Sequence, residues 1–247
     1  MRGRKRIPRL FFSALSLERM RRTGNLTSAI AALLALSAPI VFAQAPPAER
    51  FVVVLDAAHG GADSGASING QSEKAYTLAL GVRLRSLLMA RGIDVVTTRE
   101  SDTTVDPAQR AAIADHANAQ ACLTLHASES GSGAHVFVSS LAPAQQAAML
   151  PWKTAQAAWT QRSVALAGVI NSALTHAGMT VTLGRIALPA IDSMTCPAVA
   201  IEVAPGQSSD GAGTGSLDDP DYQARVADAL AAALVEWRSE ERGGRQP

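Results

Sequence analysis

The chain has 247 residues, of which 47% are apolar and 17% charged, an ordinary globular composition with enough length for one sizeable core. Its net charge of +1 hides an asymmetry: eight of the 22 basic and one of the 21 acidic residues lie in residues 1–43. The remainder holds 14 basic and 20 acidic residues, a net charge of −6 with no basic stripe, which gives no reason to invoke a nucleic-acid partner.

The N-terminus accounts for the asymmetry. Arg2, Arg4, Lys5, Arg6, Arg9, Arg19, Arg21 and Arg22 precede an apolar run, Leu26–Ala43, which closes on Val41-Phe42-Ala43. A charged front, an apolar middle and a small-residue end describe a secretory signal peptide over residues 1–43. The expected location is therefore periplasmic or secreted. The segment from Met20 onward is a complete signal on its own, which points to initiation there. Retention as an anchor is the rival reading, but the run barely reaches bilayer length and Pro39 interrupts it. Arg21-Arg22 hints at twin-arginine export, a signal that Thr23-Gly24-Asn25 fit poorly.

Residues 44–50 read as a linker. Phe51–Leu55 is a continuous, β-branched run without alternation, which predicts a strand buried on both faces and ending at Asp56. Residues 57–71, with Gly60, Gly61, Gly65 and Gly70, read as a loop. Ser72 opens a helix to about Arg91, stopped by Gly92, with an apolar stripe of Ala75, Leu78, Ala79, Val82, Leu87 and Leu88. Strands follow at Ile93–Thr97, Ala121–Leu125 and His135–Ser139. A helix from Asp106-Pro107 to about Asn118 lies between the first two, with proline in the first turn, where its missing N–H costs nothing. Residues 140–162 are rich in Ala and Gln. With Trp152 and Trp159 they are either core or a helix lying over a cleft as a gate. Ser163–His176 is a helix, Val181–Ala187 an edge strand, Ala198–Val203 a last buried strand and Asp221–Glu240 a final helix, leaving residues 241–247 as a frayed tail.

Strands alternating with helices predict an α/β fold: a single domain over 51–240, with a twisted, mostly parallel sheet of about six strands and helices on both faces. The two cysteines, Cys122 and Cys196, form no CxxC and no disulfide framework. They are expected to be buried small apolar side chains rather than a bridge.

In such sheets ligands bind at the carboxyl ends of the strands. The first strand delivers His59 there, the third His126 and the last Glu202, and Glu73 opens the helix after the first loop. Two imidazoles and a carboxylate with an open fourth position form the donor set of a catalytic Zn2+ site. A further carboxylate, Glu202 on a rigid strand, suits the role of moving the water's proton to a leaving amine. Asp56 and Asp63 are placed either to orient an imidazole or the loop, or merely to cap the loop. Arg99 and Arg110 either contact substrate carboxylates or pair with Asp102 or Glu100. His116 reads as a surface residue, His176 as a helix C-terminal residue and His135 as a partly buried structural histidine within reach of the site.

At this point a family resemblance becomes specific. Residues 54–66, from Val54 through His59-Gly60-Gly61 to Ala66, resemble the opening motif of the zinc-dependent N-acetylmuramoyl-L-alanine amidases of the bacterial cell-separation and spore-lysis type. Ser72-Glu73-Lys74 resembles that family's second motif. Thr98-Arg99 with Asp102, Arg110 and Ala117-Asn118 resembles its middle segment. Thr124–Ser128 resembles its second-histidine motif, and Pro197–Glu202 its catalytic-glutamate strand. The resemblance covers roughly 51–237 in the family's order. It implies zinc held by His59, Glu73 and His126, with Glu202 as acid/base. The implied substrate is peptidoglycan, cut at the amide between N-acetylmuramic acid and L-alanine.

The chain departs from that pattern in three places. Ala58 stands where the family usually has Gly, and Ser128 where it has Asn. Val203-Ala204-Pro205-Gly206 replaces its Gly-Phe and Ser-Asn turn. These departures motivate the rival reading of a catalytically degenerate, peptidoglycan-binding protein of the same fold, or a zinc hydrolase acting on another amide. No separate wall-binding module is evident, so targeting is expected from the catalytic domain or a partner; a protein activator is a candidate partner of what is expected to be a monomer.

Overall fold

The computed structural model describes residues 50–144, 151–206 and 215–244. The segment expected to be a signal peptide, nearly all of the expected linker, residues 145–150 and 207–214 and the last three residues lie outside the described residues. Residues 49–247 form one compact unit.

The described residues contain eight strands: β1 (Val52–Ala57), β2 (Ser67–Ile68), β3 (Gln71–Ser72), β4 (Asp94–Thr97), β5 (Ala121–Ala127), β6 (Ala134–Ser139), β7 (Val181–Ile186) and β8 (Ala198–Val203). The helices are α1 (Glu73–Ala90), α2 (Pro107–His116), α3 (Thr160–His176), α4 (Pro189–Ser193) and α5 (Pro220–Gly243), with a 3-10 segment at Trp152–Ala158. Six strands form one sheet in the order β4-β1-β5-β8-β6-β7. All neighbours are parallel except β6, which runs antiparallel to β8. The expected α/β architecture is therefore the one observed.

The central strands β1, β5 and β8 are buried on both faces, as their unbroken apolar runs require. On one face α1, α3 and α5 pack Leu80, Leu84, Leu88, Leu166, Ile170 and Leu234 against Leu55, Leu123, Leu125, Ile201 and Val203. On the other, α2 and α4 cover a core of smaller side chains: Val54, Ala111, Ala114, Cys122, Ala198, Ala200 and Ile191. Burying each larger aliphatic side chain contributes about 1.5–3 kcal/mol, which is why these runs hold the sheet's centre.

Several expectations are corrected. The buried face of α1 is Tyr76, Thr77, Leu80, Leu84 and Leu88, one step round from the predicted stripe. Ala75, Ala79 and Val82 are exposed, Val82 by 53%. The helix is apolar on more than one side, so periodicity alone points to the wrong stripe. The glycine-rich loop contains the short antiparallel pair β2–β3. Strand β5 extends two residues further than predicted and so carries His126 within it.

The cysteines are also corrected: Cys122 and Cys196 are joined by a disulfide, with Cα atoms 6.2 Å apart and a sequence separation of 74. Cys122 pairs in register with Ala198 and donates its N–H to Pro197 O, so the chain entering β8 passes directly beside it. Only the sheet order makes these strands neighbours, and the sequence does not display that order.

The Trp152–Ala158 segment buries Gln156 and Ala157 and leaves Trp152 58% exposed. Gln156, fully buried, donates to Met194 O and Cys196 O at the start of β8, and Ser163 at the start of α3 accepts from Ala198 N. That is the end of β8 opposite Glu202. Residues 145–150, part of the segment expected to be core or gate, lie outside the described residues.

Closing a loop of this length with a disulfide typically contributes about 2–4 kcal/mol. Replacing both cysteines with alanine is expected to lower stability by about that amount, read as a lower urea midpoint against the oxidised protein. An unchanged midpoint would contradict the structural role assigned to the bridge.

Candidate metal centre

Strand β1 ends at Ala57, and the next two residues turn sharply. His59 has φ of 63°, a left-handed conformation uncommon for a non-glycine residue, and buried hydrogen bonds hold the turn around it. Two buried arginines donate them. Arg99 donates to the carbonyls of Ala57, Ala58 and Lys74 and to Thr77 Oγ1 at 2.7–3.0 Å. Arg110 donates to the carbonyls of Ala57, His59 and Val105 and pairs with the Asp56 carboxylate. Asp56 also accepts from Thr98 Oγ1 at 2.6 Å. Burial and the neighbouring Arg110 charge pull the Arg99 guanidinium below its ordinary value. The backbone carbonyls accept the guanidinium N–H hydrogen bonds that water would otherwise accept.

Glu73, the first residue of α1, lies 5% exposed beneath this turn. Its Oε2 lies 3.0 Å from His59 Nε2 and accepts from Ala66 N at 2.9 Å. Its Oε1 lies 3.0 Å from His126 Nδ1 and accepts from Ala127 N at 3.1 Å. Burial pushes this carboxyl's pKa up, but hydrogen bonds from His126 and from the Ala66 and Ala127 amides outweigh it and bring it down to about 2. The N-terminus of α1 also favours the negative charge. His59 Nδ1 meets Asp63 Oδ2 at 2.8 Å, which holds the Asp63 carboxyl below its ordinary value.

One ligand atom from each of His59, Glu73 and His126 lies within 4.8 Å of the other two. Bonds of about 2.0–2.2 Å to a tetrahedral cation put neighbouring ligand atoms roughly 3.3 Å apart; His59 Nε2 lies 3.0 Å from Glu73 Oε2 and His126 Nδ1 3.0 Å from Glu73 Oε1, one imidazole to each carboxylate oxygen. His126 Nε2 is buried with no hydrogen-bond partner among the described residues. The donor set and spacing fit a divalent cation. Gly65 closes the site from the loop side. Its φ is +65°, and a Cβ there would stand 2.6 Å from Glu73 Oε2 and 2.7 Å from His59 Cδ2.

Glu202 sits one strand over. In register His126 pairs with Glu202 across β5–β8, and Glu202 pairs with His135 across β8–β6. Paired residues share a sheet face, so the three side chains form a row at the carboxyl end of β8, on the face that carries Cys122, Ala198 and Ala200 further down. His135 Nδ1 lies 2.9 Å from Glu202 Oε1. The structure thus brings His59, Glu73 and His126 together with Glu202 beside them, and it adds His135.

The remaining expectations resolve in particular ways. Asp63 touches an imidazole; Asp56 does not, and acts on the loop through Arg110. Arg99 and Arg110, 5% and 6% exposed, clamp backbone from within rather than meeting substrate. Neither pairs with Asp102 or Glu100, which meet Lys74 and Arg85. Ala58 has ordinary negative φ and donates to Leu125 O, so its methyl is accommodated. Ser128 bonds Ser130, and Tyr222 holds Ala204 O at 2.6 Å, fixing the turn after β8 as far as Gly206. His116 and His176 are exposed at helix ends, each with Nδ1 against its own helix.

The family model for N-acetylmuramoyl-L-alanine amidase, Amidase_3, matches residues 53–236. N-acetylmuramoyl-L-alanine amidase AmiA of Escherichia coli (strain K12) is 41% identical over 91 residues, 35% of this chain and 32% of that protein. The alignments to this and the next two curated relatives each span about a third of the relative's length. Among solved structures, the catalytic domain of the amidase CwlV from Bacillus (Paenibacillus) polymyxa var. colistinus is 28% identical. It superposes with a TM-score of 0.60 over 76% of this chain and 98% of that one. The CwlD amidase of Clostridioides difficile, solved in complex with the GerS lipoprotein, shares the fold at 22% identity and a TM-score of 0.60, over 77% of this chain and 100% of that one. With most of its length matched in the order of its own motifs, the chain belongs to the Amidase_3 family of N-acetylmuramoyl-L-alanine amidases.

Proposed function

We propose that this chain is a zinc-dependent amidase that hydrolyses the bond between N-acetylmuramic acid and L-alanine in peptidoglycan. The observation that carries the reading is the convergence of His59, Glu73 and His126 within 4.8 Å, with Glu202 in register beside His126. His59, Glu73 and His126 would hold the ion. Bound there, with residual positive charge after one carboxylate, zinc supplies an acidified water and a polarised substrate carbonyl. Glu202 accepts the proton of the attacking water and delivers it to the alanine nitrogen as the C–N bond breaks. The exposure of Glu202, 33% for its side chain, leaves it open to solvent and substrate. Asp63 holds the His59 ring, and the arginine clamp holds the backbone beneath it.

The catalytic domain spans 51–240 and, on this reading, is exported behind a cleaved segment, 1–43, to the periplasm or beyond. The Cys122–Cys196 bridge supports an oxidising destination, because such bonds rarely persist in reducing cytosol. No helix among the described residues is long and apolar enough to cross a membrane. The proposed site needs no residue from a second copy, and a monomer is the proposed state. The CwlD–GerS complex supports a protein partner for this fold, and activation is the role proposed for such a partner here.

The test is a peptidoglycan digest with metal analysis of the same preparation. One zinc per chain and release of stem peptides with free L-alanine amines are expected. Bound zinc without release would favour a catalytically degenerate binding protein, and absence of zinc would reject the reading. Glu202→Gln is expected to lower kcat by about 10²–10⁴-fold with zinc stoichiometry unchanged; near-native turnover would remove Glu202 from the mechanism. Gly65→Ala, whose methyl collides with Glu73 and His59, is expected to weaken zinc by about 10–100-fold in competition with a chelating dye. Unaltered affinity would show that the loop's close approach is dispensable.

A further inference from the structure

We infer that His135 is the positioning residue for Glu202, the acid/base of the proposed reaction. This deepens the amidase reading and rests on it. The sequence alone marks His135 as a structural histidine, but the structure pairs it with Glu202, the carboxylate in register beside the candidate ligand His126. His135 Nδ1 lies 2.9 Å from Glu202 Oε1, and the two residues are register partners on adjacent antiparallel strands. Their side chains are 20% and 33% exposed, so the pair lies at the mouth of the site rather than in the core.

The imidazole is held on more than one side. Phe137, two residues along β6, meets it edge-on at a centroid distance of 6.3 Å. Gly131, with φ of +85°, presents its bare Cα, and a Cβ there would stand 2.5 Å from His135 Cε1 and 2.9 Å from Nε2. A ring confined by Glu202, Phe137 and Gly131 has little rotational freedom. With Nδ1 directed at the carboxylate, the ring fixes Oε1 and leaves the other oxygen, Oε2, to exchange the proton. A glutamate on a strand has three side-chain torsions, and restraining them raises the fraction in productive geometry. The same register row places His126 on the other side of Glu202, so β8 carries the carboxylate between the ligand strand and the orienting strand.

The experiment measures kcat, KM and zinc content for His135→Ala, His135→Asn and Glu202→Gln in the full-length protein, with melting curves for each. His135→Ala is expected to lower kcat by about 10–100-fold, as loss of an orienting partner does, while KM and zinc stoichiometry hold. His135→Asn, whose amide N–H stands near the place of Nδ1, should recover part of that loss. Adding His135→Ala to Glu202→Gln should cost little more, because the partner it orients no longer exchanges protons. A His135→Ala variant with native kcat overturns the inference, as does an Asn variant no better than Ala when both fold with full zinc. The amidase reading fails separately: turnover retained in Glu202→Gln removes the acid/base itself, whereas a silent His135→Ala beside an inactive Glu202→Gln removes only the positioning role.

Discussion

One carboxylate holds the site together. Glu73 accepts from the loop at Ala66 and from β5 at Ala127, and it lies against the imidazoles of His59 and His126. It therefore joins the turn after β1, the start of α1 and the end of β5 at a single buried point. Burial alone would drive such a group neutral. Two backbone amides, an imidazole and a helix N-terminus keep it ionised, and an ionised carboxylate flanked by two imidazoles is a ready set of cation donors. The fold's task is to bring those three segments to one place.

It does so with buried positive charge. Arg99 and Arg110 lie behind the His59 turn and are saturated by backbone carbonyls and Asp56 rather than by solvent. An unpaired guanidinium in that position would be costly, and the carbonyls of residues 57–59 supply much of the compensation. The compensation is also positional, since it holds His59 in its left-handed conformation. The glycines of the loop give way to this arrangement: Gly65 leaves room for Glu73 and His59.

Much of this is legible in the residues. Unbroken apolar runs announce the central strands, and Pro107 and Gly92 mark helix boundaries. The strand-end rule places His59, His126 and Glu202 on one edge before any coordinates are considered. What is not legible depends on the order of strands. The Cys122–Cys196 bridge, the His135–Glu202 pair and the clamp formed by Arg99 and Arg110 all join elements distant in sequence. The sequence offers candidates for each partner but nothing that pairs them. The α1 stripe fails for a different reason: a helix with apolar side chains on several faces carries no single period, and the packing of α5 against it decides which face is buried.

The central claim is that His59, Glu73 and His126 form one metal centre. Zinc-edge X-ray absorption of the purified protein tests it most directly, with Glu73→Gln and His126→Ala as comparisons. Two imidazoles and one carboxylate oxygen around a single zinc are expected, with the imidazole scattering reduced in His126→Ala. A zinc shell without imidazole, or one unchanged by either substitution, would contradict the account.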